Sequence, residues 1–373
     1  MRILQLGKFY PPDIGGIETV MFDITEELNK RGIKCDVLCS NNKNEYKEEV
    51  LNNYKIYRAI SYGRLSSTSI APQMIFKLKE IINRYDIIHI HHPDPMANLA
   101  LFIANPKKQK IIVHWHSDII KQKIFLHFYK PFLYLLLQKA DAIIATTSDY
   151  IEGSAFLSEF KNKVKTIPIG INLNNLKCAE QNVNELKEKY KSKKIIFSLG
   201  RFIYYKGFQY LIKAAKYLDD NYVILIGGDG KLKDGFLNLI KIENLYNKVK
   251  LLGKIPEDKL SSYYKACDIF CLPSIERSEA FGLVMVEAMS FGKPIVSTVI
   301  PYSGVSWVNR DNYTGLNVEP KNPVALADSF KAILENNKSY QKFSLNAIKR
   351  FNEEFTIEKE VSRFIELYTN LLN

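Results

Sequence analysis

The sequence predicts an α/β protein made of two Rossmann-like, doubly wound parallel-sheet domains facing a cleft. Three observations carry that expectation. Apolar, strand-length runs alternate with helix-length amphipathic segments along the whole chain. The runs are continuously hydrophobic, as in strands covered on both faces of a parallel sheet. A polar, weakly patterned stretch over residues 172–194 separates two halves of similar size.

In the first half the strand-like runs are residues 2–6, 34–39, 86–91, 110–114 and 142–145. In the second they are residues 195–199, 222–226, 250–252, 268–272 and 295–297. These runs define one domain over residues 1–175 and a second over 186–350, with the terminal segment 351–373 apart. Ligands of open α/β sheets bind beyond the carboxyl ends of the strands, so two facing domains place a ligand cleft between them. Residues 356–372 carry Ile357, Val361, Phe364, Ile365 and Tyr368 at helical spacing. Such a helix either packs locally or bridges back to the first domain.

A chain of 373 residues, 46% hydrophobic, can bury two cores. Its opening M-R-I-L-Q-L is too short for a secretory apolar region, and no run approaches the roughly 20 apolar residues that span a bilayer. The expected location is the cytoplasm. The five cysteines (Cys35, Cys39, Cys178, Cys267 and Cys271) lack the spacing and partners of a metal site and read as free thiols. A net charge of +12 calls for an anionic partner: a phosphorylated substrate, an anionic membrane surface or nucleic acid. Nucleic acid ranks last, because the lysines are scattered and no nucleic-acid-binding motif is present.

After the first strand run comes G-K-F-Y-P-P-D-I-G-G-I-E-T-V. Gly15 and Gly16 lead into a helix starting near Ile17, and paired glycines before a helix N-terminus can admit a phosphate as well as a plain turn. No G-x-G-x-x-G is present, so a nicotinamide or flavin site is not supported. The second half offers G-R-F-I-Y-Y-K-G, which places Arg201 and Lys206 just beyond a strand end. An Arg fork and a Lys point charge there suit a pyrophosphate, and G-G-D-G at 227–230 adds a tight loop on the same rim.

Five of the six histidines end two strand runs, in I-I-H-I-H-H and I-I-V-H-W-H. Alternation puts His114 and His116 on one side of their strand. Without cysteine partners or H-E-x-x-H spacing the reading assigns no metal. His116, followed by Ser117 and Asp118, is the candidate functional histidine, and His89 reads as a hydrogen-bonded core residue.

Glu279 and Glu287 stand with seven residues between them. On one helix they would be roughly 12 Å apart, too far for a retaining glycosidase pair at about 5–5.5 Å. Gly282 instead suggests a loop entering a helix, with Glu279 in the loop and Glu287 about a turn inside. The two then grip different parts of one ligand.

These residues together resemble a known family. E-A-F-G-L-V-M-V-E, G-R-F-I-Y-Y-K-G, I-P-I-G-I-N and the early G-G-I-E are similar, in order and over nearly the whole chain, to the retaining nucleotide-sugar glycosyltransferases of family 4, which have the GT-B fold. H-W-H-S-D-I and R-S-E-A-F-G look like the bacterial members that build O-antigen and other surface polysaccharides. Asn172 departs from the Asp that the family often carries there.

The resemblance implies an N-terminal acceptor-binding domain, a C-terminal nucleotide-sugar-binding domain and a last helix crossing back to the first. It implies that Arg201 and Lys206 hold the donor diphosphate, that Glu279 touches the donor sugar, and that Glu287 accepts from ribose hydroxyls. Phe281, Gly282 and Leu283 would offer backbone N–H groups, Gly253, Lys254 and Ile255 would lie by the base, and the Gly16 amide would approach the diphosphate. His116 would sit beside the anomeric centre, with Glu18 and Asp118 on the acceptor side. The implied hexosyl transfer is front-face with retention and needs no metal or other cofactor. The implied partners are a nucleotide sugar (GDP-mannose first, a UDP-hexose or UDP-N-acetylhexosamine second) and a polyprenyl-diphosphate-linked glycan, and no nucleic acid. The lysine- and aromatic-rich segment 121–139 either packs on the first sheet or rests on anionic lipid at the inner face of the cytoplasmic membrane. A nucleotide-sugar epimerase and a non-catalytic glycan-binding scaffold are the competing functions, the second opposed by the intact Arg201, Lys206, Glu279 and Glu287 set.

Overall fold

The structure is a computed structural model that describes residues 1–13, 15–65, 68–119 and 123–373. The chain forms two compact units, one of Met1–Gly170 with Ile357–Asn373 and the other of Ile171–Thr356.

The first unit opens with β1 (Arg2–Gly7), α1 (Gly16–Lys30), β2 (Lys34–Ser40), β3 (Lys47–Leu51) and β4 (Tyr54–Ala59). A short pair, β5 (Arg64–Leu65) and β6 (Thr68–Ser69), precedes α2 (Gln73–Ile81), β7 (Ile87–His92), α3 (Pro95–Ala104) and β8 (Lys110–Trp115). Then come α4 (Lys123–Lys139), β9 (Ala142–Ala145), α5 (Ser148–Gly153) and β10 (Val164–Thr166). The main sheet runs β10-β9-β8-β7-β1-β2-β4-β3, parallel except for the antiparallel edge pair β3–β4. Central strands β7 and β9 are buried along their whole length, as their unbroken apolar or histidine-bearing runs require. α3 starts where Asp94 accepts from the amides of Met96 and Ala97 with Pro95 at the first helical position, a strong local start signal. Strand order reverses at β1, which has β2 on one side and β7 on the other.

The second unit contains α6 (Glu180–Lys189), β11 (Lys194–Leu199), α7 (Phe208–Ala214), β12 (Tyr222–Gly227), α8 (Lys233–Ile242), β13 (Val249–Gly253) and α9 (Glu257–Ala266). It continues through β14 (Ile269–Leu272), α10 (Leu283–Ser290), β15 (Ile295–Thr298), α11 (Val305–Val308), β16 (Gly315–Val318), α12 (Pro323–Leu334) and α13 (Asn337–Glu354). Its sheet is parallel throughout, in the order β13-β12-β11-β14-β15-β16. Phe202, Phe208 and Phe236 meet edge to face in a core that includes Ile224, Ile226 and Phe330. Strand order reverses at β11, which has β12 on one side and β14 on the other.

The last helix, α14 (Ile357–Leu372), belongs to the first unit. Its buried stripe of Ile357, Val361, Phe364 and Tyr368 packs against α1, and Arg31 donates to the Glu358 carbonyl and the Ser362 hydroxyl. The terminal segment is therefore divided, with residues 351–354 ending α13 and only the following helix in the first unit. Residues 180–189, inside the stretch read as a linker, form α6, which buries Val183 and packs on α9. A surface helix with one buried apolar side chain shows almost no apolar periodicity, which is why it reads as linker. Among the described residues no helix is long and apolar enough to cross a membrane. All five cysteines are free, and only Cys178 is not fully buried.

Candidate active site

In the second unit, the reversal of strand order lies between β11 and β14, and the loops that leave these two strands carry the candidate residues. Beyond β11 the chain makes a short turn at Tyr204–Lys206 and enters α7 through Gly207. Gly207 has φ of +71°, and a Cβ there would collide with the Pro273 carbonyl beyond β14, so the two loops press together where only glycine fits. That contact brings Lys206 to Glu279.

Lys206 Nζ lies 2.5 Å from Glu279 Oε2, and the same oxygen accepts from Ser274 Oγ at 2.8 Å. Both charged side chains are about one-tenth exposed. Ser303 Oγ donates to the Glu279 carbonyl and so pins the loop from the other side. Arg201 is exposed and donates to the Tyr205 hydroxyl at 3.4 Å. The loop after β11 thus carries one nearly buried, acid-paired cation, Lys206, and one exposed cation, Arg201.

Glu279 lies in the loop and Glu287 in the second turn of α10, the disposition that their spacing suggests. Gly282 starts α10 at φ +83°, and no side chain caps the helix, so the amides around Phe281, Gly282 and Leu283 form an uncapped N-terminus. Glu287 Oε2 accepts from the Tyr264 hydroxyl at 2.5 Å. Burial first, and then the Glu287 carboxylate, hold the Tyr264 phenol well above its usual pKa. On the same rim Gly253 closes β13 with its carbonyl accepting from the Gly228 amide at 2.8 Å, Lys254 is exposed, and the Ile255 side chain lies over Gly227. Of the candidates in this unit, the folded chain joins Lys206 to Glu279, whereas Glu287 is tied to Tyr264. Ser274 and Tyr264 were not singled out in the sequence, where a serine after a strand and a tyrosine on a helix carry no distinguishing pattern.

In the first unit Gly15 is the N-cap of α1, Gly16 is exposed at its first position, and Glu18 stands in its first turn. Ile14, part of the same motif, lies outside the described residues. His116 follows β8, 8% exposed, with its backbone amide donating to the His92 carbonyl at 3.0 Å. Its ring stacks on His114 at 4.0 Å, and its Nε2 lies 2.9 Å from His91 Nδ1. Burial pushes the His116 imidazole down to about 3, so the ring is neutral at ordinary pH. Asp118 Oδ1 accepts from Trp115 Nε1 at 2.9 Å and Ser154 Oγ at 2.8 Å, so this carboxylate oxygen braces the loop. His89 is fully buried with Nδ1 2.6 Å from the Tyr368 hydroxyl. One ring nitrogen each of His89, His91 and His114 lie within 4.8 Å of one another. His91 has both nitrogens engaged, by Gln5 and His116, so a cation there would have to break one of those bonds.

The segment 121–139 forms α4 from Lys123 on, and its first two residues lie outside the described set. Leu133, Leu136 and Leu137 are buried, whereas Phe128, Phe132 and Leu135 are exposed. Leu99, Phe102 and Ile103 of α3 are exposed too, and Phe102 meets Phe132 edge to face at 5.7 Å. One side of the helix therefore packs, and another shows aromatic rings, with Lys130 against Tyr134 and Lys139 against Phe102.

Comparison with known proteins supplies a family. Residues 180–350 match the model described as glycosyl transferases group 1, and residues 14–175 match that of glycosyltransferase family 4. The chain is 28% identical to the O-antigen chain mannosyltransferase C of Escherichia coli, over 100% of this chain and 99% of that protein. It is 29% identical to the D-rhamnosyltransferase WbpZ of Pseudomonas aeruginosa, over 95% and 92%. Among solved structures, Anabaena Alr3699/HepE in complex with UDP superposes with a TM-score of 0.80 at 21% identity, covering 99% of this chain and 100% of that one. The sucrose-phosphate synthase of Thermosynechococcus elongatus gives 0.80 at 20% identity, covering 100% and 99%.

Proposed function

The chain belongs to the glycosyltransferases of the group 1 and family 4 kind, with the GT-B fold, and on that premise we propose that it moves a hexose from a nucleotide-diphosphate sugar to a surface-polysaccharide glycan with retention of anomeric configuration. The observation that carries this reading is the Lys206–Glu279 pair at the strand-order reversal of the second unit, with Arg201 exposed beside it. A cation for a diphosphate and an acceptor for sugar hydroxyls stand there side by side.

In this reading Arg201 and Lys206 meet the negative charge that grows on the departing diphosphate as the glycosidic bond breaks. The diphosphate takes the proton of the incoming acceptor hydroxyl, which attacks from the same face. Glu279 holds a donor-sugar hydroxyl, and Glu287, oriented by Tyr264, accepts from the ribose. The amides of Phe281, Gly282 and Leu283 face the sugar or phosphate, Gly253, Lys254 and Ile255 border the base, and the Gly16 amide approaches the diphosphate. His116 contacts the sugar, and Glu18 and Asp118 stand on the acceptor side. The cations are side chains, and the reading assigns no role to a metal.

The mannosyl and rhamnosyl transfer named for two relatives supports a mannose-like hexose, so GDP-mannose is the first donor to test and a UDP-hexose the second. The aromatic and lysine face shared by α3 and α4 supports a polyprenyl-diphosphate-linked acceptor and peripheral attachment to the cytoplasmic face of a membrane. The test is a donor screen by thermal unfolding, in which a ligand at about 100 times its Kd adds roughly 2.7 kcal/mol. It is followed by NMR of the product anomer. Retained configuration supports the reading, and inversion overturns it.

A further inference from the structure

Gln5 interrupts the buried apolar run of β1 and is 0% exposed. Along the sheet it stands beside His89 on β7, and His91 stands beside His114 on β8. All four, with His116, share one face of the first sheet. Gln5 Oε1 lies 2.8 Å from His91 Nε2, and His91 Nδ1 lies 2.9 Å from His116 Nε2.

The orientation of the Gln5 amide sets the protons. With Oε1 turned to the ring and Nε2 left without a hydrogen-bond partner, the amide oxygen accepts and His91 Nε2 carries the hydrogen. Burial keeps His91 well below its usual pKa, so the ring is neutral and its Nδ1 is a bare acceptor. His116 Nε2 must then be the donor. The neutral His116 ring has one proton, already placed on Nε2, and its Nδ1 keeps a lone pair with no partner among the described residues. Stacking on His114 at 4.0 Å and on His91 at 5.2 Å fixes the plane of the ring.

We propose that Gln5 and His91 are positioning residues that hold His116 as the Nε2–H tautomer, so that its Nδ1 accepts a hydrogen bond from a hydroxyl of the bound sugar. The proposal rests on the preceding reading of His116 as a sugar contact. It adds a chain of command, in which a glutamine at the sheet centre sets the polarity of an imidazole at the strand end. The opposite tautomer would turn an N–H toward the sugar and select a different hydroxyl orientation. In a serine-protease triad the wrong tautomer lowers turnover about 10⁴-fold. There the imidazole moves a proton, whereas here it only accepts a hydrogen bond, and a loss of about tenfold is expected.

The test uses the full chain with ¹⁵N-labelled histidine and two-bond ¹H–¹⁵N correlation spectra at pH 7, with His116 assigned from the spectrum of His116→Gln. The expected result is a neutral Nε2–H pattern for His116, with its Nδ1 resonance moving on addition of GDP-mannose or UDP-glucose. An Nδ1–H or charged pattern overturns the proposal. An Nε2–H pattern whose Nδ1 moves with neither sugar nucleotide overturns the sugar contact and leaves the tautomer assignment standing, so the two failures are distinguishable. Gln5→Met is expected to mix the tautomers and to lower turnover about tenfold while leaving UDP and GDP affinity unchanged. Wild-type turnover in that variant also overturns the proposal.

Discussion

Lys206 Nζ and Glu279 Oε2 are 2.5 Å apart in a nearly buried pair that joins the loops after β11 and β14. A donor diphosphate that takes up Lys206 must compete with this carboxylate. The pair braces the loop, and under the proposed donor site it would also oppose nucleotide binding, two roles that separate on substitution.

Lys206→Ala leaves the Glu279 charge buried without its cation. Breaking a buried pair from one side costs about 3–5 kcal/mol, and losing one electrostatic stabiliser lowers turnover by about 10²–10³. Urea unfolding and steady-state kinetics measure the two effects. Near-normal turnover would remove Lys206 from the site.

Glu279→Gln keeps an oxygen for Ser274 and removes the competing charge. Affinity for GDP or UDP alone is expected to rise about tenfold, a gain of about 1.4 kcal/mol, while turnover of the intact sugar nucleotide falls. Calorimetry with the bare nucleotides reads the first effect. Weaker nucleotide binding in this variant would contradict the competition.

Burial pushes His89, His92 and His116 down to about 3, and His91 and His114 well below their usual value. In the unfolded chain these rings titrate near pH 6.5. A folded pKa below the unfolded one means that the unfolded chain binds more protons in between, so this stability is complete above pH 6.5 and is lost as pH falls toward 3. Asp94, pushed up to about 6 by burial, and the half-buried Asp268 and buried Glu360, also raised, act in the opposite sense. A difference measurement isolates one ring. Relative to wild type, His89→Gln is expected to gain about 1.4 kcal/mol per pH unit below 6.5. Urea unfolding at several pH values checks this, and a pH-independent difference would contradict it.

Phe128 is 73% exposed on α4, so Phe128→Asp is expected to leave the unfolding midpoint unchanged. Co-sedimentation with anionic vesicles should fall, and Lys130→Glu should weaken it further, at about 1 kcal/mol per basic residue near the surface. Equal sedimentation of wild type and variants would exclude this face as the lipid contact.

Much of this architecture was legible because buried parallel strands are spelled as apolar runs. The runs at 2–6, 34–39, 110–114 and 295–297 became β1, β2, β8 and β15 nearly residue for residue. The edge pair β3–β4 was not legible, since K-E-E-V-L is largely exposed and its pairing depends on a partner strand. β16 was missed because four residues, G-L-N-V, carry too little pattern. In the site, the loop-to-helix disposition of Glu279 and Glu287 followed from Gly282. The bond of Lys206 to Glu279 crosses 73 residues and no spacing rule reaches it. Gln5 did leave a signal, as a polar residue flanked by Leu4 and Leu6 inside an apolar strand run.

Calorimetric titration of GDP-mannose and UDP-glucose into wild type and Arg201→Gln tests most directly that the second unit grips a sugar diphosphate. Arg201 is exposed, so its replacement leaves the fold intact. At least one donor is expected to bind the wild type and to bind the variant about 10- to 100-fold more weakly, as loss of a charged hydrogen bond requires. Full-affinity binding to Arg201→Gln, or no binding of either donor to the wild type, would contradict the account.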